Sequence, residues 1–540
     1  MTPERDLRAG RLAQGRLGRG WAARLAIVLV GAFAALGFAP LHVWPATLAA
    51  LAILYIRVRE VSRWDRPGRS AFGTGLLFGL GWFSASCFWI ASAFIERGPE
   101  FLILIPPLVG GLAVLLSLFW GAAAGVSARL MRGRASWAGP VVFTASFTLA
   151  ELARGHVLSG FPWNMAGYAF APGGALSQSA SLFGIYGLTM VVLLVAALAG
   201  QAVLMREWRS GAASAVLLAS LFAFGAVRLA SAPPPDRQPV HPGVTLRLVN
   251  VPFRQSDKLD PERSFAVVRA FIDQSVQPGL AGVTHVVWPE GAVNGLAIEN
   301  GPLLRAMGAS LVAETKRPPV WLMNSLRQEI SPDSRTGRPQ ARYYNSAVAV
   351  TFDAAGNPAI AATDDKRKLV PFGEFIPGGE IVERLGARLV STALGSITGA
   401  EAKRTARFPG LPPLSAQICY EVIFPGLTPA NGTRPAFILN QSNDAWFGDT
   451  TGPAQHAAIA RYRAIEEGLP MVRAAANGVT GVFDPYGRTV VMLTVTEPSH
   501  IDTTLPKPLN RKQKLKVVNF IITLLNLCLV VIVRTLRRST

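Results

Sequence analysis

Leu414-Ser415-Ala416-Gln417-Ile418-Cys419-Tyr420-Glu421 is the stretch on which the reading of this chain turns. Residues 414–418 read as a short, mostly apolar strand, which ends in a thiol with a carboxylate two positions beyond. The other two cysteines, Cys87 and Cys528, lie in hydrophobic runs, so Cys419 is the one thiol in a segment of ordinary globular composition. Three cysteines so far apart form no Cys-x-x-Cys pair and no disulfide framework. The six histidines show no metal-binding spacing, so neither a metal nor another cofactor is expected.

The segment around Cys419 alternates strand-like and helical patterns. Strands are expected at 244–251, 285–289, 320–323, 346–352, 414–418, 436–440 and 489–493, with helices at 262–277, 303–316 and 453–467. That alternation predicts an α/β domain with one layered core. Ala232-Pro233-Pro234-Pro235 marks the linker before it.

The rest of the chain is of a different kind. The 540 residues are half hydrophobic, with a mean hydropathy of +0.32, too apolar for an ordinary soluble enzyme. Runs at 22–38, 44–56, 72–94, 101–128, 137–152, 181–205, 213–229 and 517–533 give about eight expected membrane helices. The predicted organisation is a seven-helix membrane domain (1–231), a catalytic domain (240–507), and a last membrane helix with a short tail (508–540).

The net charge of +20 gathers largely in loops between these runs, which argues for a topology signal and against nucleic-acid binding. Arginine is dense before the first run and after the second, fourth and sixth, and sparse in the other loops. By the positive-inside rule both termini face the cytoplasm and the domain at 240–507 faces the periplasm of a bacterial inner membrane. Arg511, Lys512, Lys514 and Lys516 break that pattern locally and could lie against anionic headgroups. Glu151 and Arg154, three apart on one helix, read as a local ion pair at the interface, and 159–164 as part of an aromatic belt.

Glu290, Lys366 and Cys419 each stand at or near the end of a strand-like run, where α/β sheets tend to place their chemistry. A carboxylate can take the thiol proton, and an ammonium favours the thiolate and can hold an oxyanion. Each residue also has a plainer reading: a packed small hydrophobe for Cys419, a surface turn for Glu290, a solvated charge for Lys366.

Several motifs in order resemble the nitrilase, or carbon–nitrogen hydrolase, superfamily and, within it, the apolipoprotein N-acyltransferases. They are Gly160-Phe161-Pro162-Trp163-Asn164, Trp288-Pro289-Glu290, Tyr344-Asn345-Ser346, Leu369-Val370-Pro371-Phe372-Gly373-Glu374-Phe375, Ile418-Cys419-Tyr420-Glu421, Ser442-Asn443-Asp444-Ala445-Trp446-Phe447-Gly448, Gln455-His456 and Arg473. The resemblance implies an α-β-β-α sandwich beside the membrane helices. It implies Glu290 as general base, Lys366 as oxyanion-stabilising lysine, Cys419 as nucleophile and Glu374 as a further essential carboxylate. Tyr420, Glu421 and Trp446 would support the site or substrate.

The chain departs from the family pattern at Lys368, where a histidine is common, and at Leu259, where a tryptophan is common. The choice of Lys366 over Lys368 rests on the family's Lys-x-His-Leu frame. The implied activity is transfer of a fatty acyl chain through a Cys419 thioester, with a phospholipid, phosphatidylethanolamine first, as donor. The acceptor is the N-terminal amine of an apolipoprotein's diacylglyceryl-cysteine, and a monomer is expected. The alternatives are a membrane-anchored amidase of the same superfamily, or a transporter or scaffold with an inactive outer domain.

Overall fold

The computed structural model describes residues 20–258, 260–332, 337–371, 373–375, 397–401, 405–429, 432–493 and 496–510. The expected helix at 517–533 with the basic residues before it, the arginines up to Arg19, and Leu259 lie outside the described residues. The chain folds as two compact units that divide between Ala230 and Ser231.

The first unit is helical. Its principal helices are Trp21–Ala34, Trp44–Val61, Pro67–Ser86, Gly111–Met131, Ala138–His156, Ala180–Met205 and Trp208–Ala230. Among the described residues three helical stretches are long and apolar enough to cross a membrane: Pro99–Met131, Ala175–Met205 and Trp208–Ala230. A fourth counts if Pro67–Ser86 and Phe88–Ile95, bent by 59°, form one broken span. The runs at 22–38, 44–56 and 137–152 are helical as expected, but their helices are shorter or carry charge. Arg57, Arg59 and Glu60 sit in one, Glu151 and Arg154 in another.

Glycine lets these helices approach closely, as in other apolar bundles. A Cβ on Gly75 would lie 2.4 Å from the carbonyl oxygen of Trp120, and one on Gly81 1.9 Å from that of Val28. Trp120 then meets Phe78 at 5.6 Å and Trp82 at 4.8 Å between ring centroids.

Glu151 and Arg154 do pair, but deep in this unit: both are about 1% exposed. Arg154 Nε donates to Glu151 Oε1 at 3.0 Å, and Trp120 Nε1 donates to the same oxygen at 2.7 Å. Arg154 Nη1 also donates to the carbonyls of Phe161 (2.5 Å) and Trp163 (3.0 Å). The pair therefore pins the 160–164 loop, and Trp163 and Asn164 are buried.

The second unit holds two sheets. Strands β1 (Val240–Asn250), β2 (His285–Val287), β3 (Val320–Pro332), β4 (Pro339–Phe352), β5 (Pro358–Asp365), β6 (Leu414–Ile418), β7 (Phe437–Asn443), β8 (Met471–Ala476), β9 (Thr480–Phe483), β10 (Thr489–Leu493) and β11 (Ser499–Pro506) follow in chain order. One sheet has the order β11-β1-β2-β3-β4-β5, the other β10-β9-β8-β7-β6. β1, β2 and β3 run parallel, as do β6, β7 and β8, while the remaining neighbours are antiparallel.

The sheets share one core. Leu246, Leu248, Leu322 and Ala347 of the first meet Leu414, Ile418, Leu439 and Val472 of the second. On the outer face of the first sheet, Trp288, Trp321 and Val348 pack with Phe271 of the helix Pro261–Ser275 and Met307 and Leu311 of the helix Gly301–Glu314. The helix Gly452–Glu467 buries Ile459, Tyr462 and Ile465 and precedes β8 directly. β3 and β4 form a long hairpin, of which only the two buried ends, 320–323 and 346–352, carry a strand signature in the sequence.

Candidate active site

Glu290, Lys366 and Cys419 come from three different strand ends. β2 leads into Trp288, whose side chain is fully buried and donates from Nε1 to Ser275 Oγ at 2.8 Å. Gln441 Nε2 donates to the Trp288 carbonyl at 2.8 Å, so the main chain just before Glu290 is held on both sides. Lys366 leaves the end of β5, and its N–H donates to the Asn345 carbonyl at 2.7 Å. Cys419 follows β6 and opens a short 3-10 turn, Cys419–Ile423. Its φ of +49° is the left-handed region, which a side chain with a Cβ adopts at a cost.

Lys366, 1% exposed, is the centre of the charges. Its Nζ lies 2.7 Å from Glu374 Oε1 and 3.7 Å from Glu290 Oε1. Asn345 Nδ2 bridges the same two carboxylates, donating to Glu290 Oε1 at 2.8 Å and Glu374 Oε1 at 3.3 Å. Asn324 Nδ2 donates to Asn345 Oδ1 at 2.7 Å and fixes which way that amide points. The second oxygens are also satisfied: Glu290 Oε2 accepts from the Asn443 N–H (3.1 Å) and Glu374 Oε2 from the Val370 N–H (2.8 Å). Two carboxylates and one ammonium thus share a site in which each carboxylate oxygen has a donor.

Burial works against the Lys366 charge, but Glu374, Glu290 and the Cys419 sulfur outweigh it and hold its pKa well above the usual lysine value. Burial also pushes the Cys419 thiol up, Glu290 adds to the rise, and Lys366 offsets only part of it. Lys366 favours the thiolate, as expected from the sequence, but burial and Glu290 outweigh it. The net shift favours the thiol form.

Lys368 takes no part in this cluster. It is exposed, with Nζ 5.2 Å above the Phe424 ring. Glu421 is a scaffold carboxylate: Oε1 accepts from the N–H groups of Arg367 (2.8 Å) and Lys368 (3.1 Å), and Oε2 from that of Ile418 (2.8 Å). It ties the lysine segment to the thiol segment. Burial raises its pKa, and these backbone donors offset part of the rise. Tyr420 stacks edge-on against Phe424 at 5.1 Å, and burial raises its phenol. Trp446 lies in the 3-10 turn Asp444–Phe447 after β7, partly buried.

Sequence reasoning assigned no role to several residues gathered here. With its amide oxygen turned inward, Asn443 accepts from Lys258 Nζ at 3.2 Å and Trp446 Nε1 at 3.3 Å. Burial lowers the Lys258 amine to about 8, with Glu290 opposing the fall. Behind Cys419, Asp444 Oδ1 accepts from Ser442 Oγ (2.7 Å) and His456 Nδ1 (2.9 Å), and Oδ2 from Arg473 Nη2 (2.6 Å). The sequence signal for them was the motif set itself, which names Asn345, Asp444, His456 and Arg473 without a task.

Residues 30–198 match the family described as apolipoprotein N-acyltransferase N-terminal domain, and residues 255–507 match carbon-nitrogen hydrolase. The apolipoprotein N-acyltransferase of Rhodopseudomonas palustris is 34% identical over 503 residues, 91% of this chain and 90% of its own. The chain belongs to the apolipoprotein N-acyltransferase family. The family protein of Caulobacter vibrioides is 33% identical over 508 residues, 90% of each chain. A solved carbon-nitrogen hydrolase from Helicobacter pylori G27 aligns with 48% of this chain and 88% of its own, at 14% identity and a TM-score of 0.30, too distant to add to the assignment. Family membership covers both units, the helical one and the one that carries Cys419.

Proposed function

We propose that this enzyme moves a fatty acyl chain from a phospholipid to the N-terminal amine of the diacylglyceryl-cysteine of an apolipoprotein, in two steps through a thioester on Cys419. The observation that carries the reading is the Glu290–Lys366–Glu374 cluster, with its lysine buried, beside the Cys419 thiol, in a chain whose relatives over about 90% of its length are named apolipoprotein N-acyltransferases.

Glu290 takes the thiol proton as the sulfur attacks the ester carbonyl. Lys366, kept charged by its carboxylates, steadies the oxyanion of the tetrahedral intermediate. The C–O bond breaks, Glu290 returns the proton to the departing lyso-phospholipid, and the acyl group stays on sulfur. The acceptor amine then attacks the thioester, Glu290 takes the amine proton, and the C–S bond breaks as the thiol is re-formed. A raised thiol pKa suits this order of events, since Glu290 takes the proton as the attack occurs. Glu374 holds Lys366, and Tyr420, Glu421 and Trp446 shape the surroundings.

In this reading the helical unit supplies seven spans and 517–533 the eighth, a multi-pass anchor in a bacterial inner membrane. Both termini are cytoplasmic and the 240–507 domain is periplasmic, as the arginine distribution favours. The domain limits are those expected from the sequence: 1–231, 240–507 and 508–540. Phosphatidylethanolamine is the first donor to test, and the enzyme acts as a monomer without cofactor. The test is N-acylation of a diacylated lipoprotein in proteoliposomes. Wild type yields triacylated product and Cys419→Ala yields none; product from Cys419→Ala refutes the mechanism.

A further inference from the structure

The short turn after β1 carries a lysine to the site, and the mechanism above gives it no task. Beyond β1 the main chain is clamped at Phe253, whose N–H donates to Asn477 Oδ1 at 2.9 Å and whose carbonyl accepts from Asn477 Nδ2 at 2.6 Å. The 3-10 turn Gln255–Lys258 comes next. At its far end the Lys258 carbonyl accepts from Asn294 Nδ2 at 3.0 Å, which ties the turn to the loop after Glu290. The side chain reaches the same loop. A Cβ on Gly291, the residue after Glu290, would lie 2.6 Å from Lys258 Nζ, so the amine packs on the main chain next to the base. Asn443 joins it to the reacting groups: its Oδ1 accepts from Lys258 Nζ at 3.2 Å, and its N–H donates to Glu290 Oε2 at 3.1 Å.

The amine is short of acceptors. Asn443 Oδ1 is the one that the described residues give it, and the Phe253 ring lies 4.7 Å away on another side. An ammonium has three N–H groups, so two remain for a ligand. Among the described residues no carboxylate stands within ion-pair distance of it, and the oxygens of Glu290 are held by Lys366, Asn345 and the Asn443 N–H. Lys258 is partly buried. Burial draws its pKa down to about 8, which still leaves it mostly charged at neutral pH. A partly buried charge with no counter-ion is costly, and an arriving anion relieves that cost through a charge-assisted hydrogen bond. In the proposed reaction only the acyl donor brings an anion close to its reacting group: a phosphodiester, joined to the ester through the glycerol. The acceptor brings an amine and a thioether.

We infer that Lys258 is a substrate-binding residue that takes the phosphodiester of the acyl donor, with its ammonium on a phosphate oxygen while the ester carbonyl lies at Cys419. The inference rests on the reading of Cys419 as the acylated nucleophile and of a phospholipid as the donor. Lys258 acts in the first half-reaction alone, because the phosphate leaves with the lyso-phospholipid before the acceptor attacks the thioester. No bond to Lys258 forms or breaks. A hydrogen bond between charged groups of this kind is worth about ten- to a hundredfold.

The experiment gives the full-length enzyme, in detergent micelles, dioleoyl phosphatidylethanolamine, dioleoyl phosphatidylglycerol or dioleoylglycerol at subsaturating concentration. These carry the same acyl esters with and without a phosphate, and the adduct on Cys419 is followed by intact mass. Wild type should be acylated at least about tenfold faster by either phospholipid than by dioleoylglycerol. Lys258→Met should lower both phospholipid rates about ten- to a hundredfold and leave the dioleoylglycerol rate within about twofold, while Lys258→Arg keeps most of the preference. Once loaded, Lys258→Met should pass its acyl group to an acceptor lipopeptide at the wild-type rate. The donor ratio is taken within one preparation, so the folded fraction does not enter it, and Lys258→Gln is compared in the same way if Lys258→Met forms no adduct. The inference is overturned by an equal fall for all three donors, an unchanged ratio, no preference in wild type, slowed discharge, or no adduct from dioleoylglycerol in either uncharged variant. No adduct on wild type from any donor overturns the thioester reading itself, whereas adducts with an unchanged ratio overturn this inference alone.

Discussion

The Lys366 ammonium is bonded to Glu374 at 2.7 Å and stands off from Glu290 at 3.7 Å. This asymmetry divides the labour between two carboxylates a few ångströms apart. Glu374 is the closer counter-ion, and in the proposed mechanism Glu290, less tightly held by the lysine, is the base. In Glu374→Gln the lysine loses its nearer charge and turns toward Glu290, which weakens the base as well as the oxyanion site. Acylation should fall by about 10²–10⁴-fold, as it should when Glu290→Gln removes the base outright. The two are told apart by thiol reactivity, because only the second removes a charge that raises the Cys419 pKa.

That thiol gives a pH test with a definite sign. Burial and Glu290 raise its pKa, so the thiolate is scarce at neutral pH and increases as pH rises. Alkylation of Cys419 by iodoacetamide should be slow at pH 7 and still climbing well above the ordinary thiol value of about 8.5. In Glu290→Gln the curve should shift to lower pH, while acyl transfer collapses. A Cys419 that alkylates at a pH-independent rate through this range contradicts the electrostatics.

Asn345 donates one amide to both carboxylates, at 2.8 and 3.3 Å. Asn345→Asp puts a third carboxylate where a donor stood. We expect a loss of at least about a hundredfold in kcat. Membrane insertion should be unchanged, and Asn345→Ala should fall between the variant and wild type. Steady-state transfer kinetics with protease-protection topology on the same preparations checks this.

In the helical unit, Arg154→Leu leaves Glu151 buried with its charge unanswered and frees the 160–164 loop. Breaking a buried pair from one side costs about 3–5 kcal/mol. Thermal unfolding in detergent should show a large drop in Tm for Arg154→Leu and a smaller one for the Glu151→Gln/Arg154→Leu pair. A double variant as unstable as the single one contradicts the assignment.

How much of this was legible in the sequence depends on range. Cys419 stood out because it is the one thiol in a segment of globular composition and follows a short strand-like run, and Glu290 and Lys366 because each stands at or near such an end. Asn345 gave no such sign. It reaches the site because Ser346 pairs with Asp365 in the β4–β5 register, which sets Asn345 beside Lys366 and opposite a glutamate far back in the chain. No local periodicity encodes that pairing. The outer halves of the β3–β4 hairpin were missed because, beyond the core, both faces are polar and partly exposed, so the alternation that marks a half-buried strand is absent.

The net shift of the thiol was not legible for a similar reason. Burial is a property of the assembled sheets, and it outweighs a lysine that the sequence could name. In the helices, periodicity found the apolar runs, but Glu151 and Arg154 looked like a boundary because the partners that bury them, Trp120 and the 161–163 carbonyls, lie on other elements or beyond the helix end.

The central claim is that Cys419 carries the acyl group, and intact-mass analysis of the purified enzyme after incubation with phosphatidylethanolamine alone tests it most directly. The account predicts a mass increase of one fatty acyl chain, mapped to Cys419, discharged by an acceptor lipopeptide and absent from Cys419→Ala and Glu290→Gln. Full transfer activity with no adduct on Cys419, or an adduct that persists in Cys419→Ala, would contradict it.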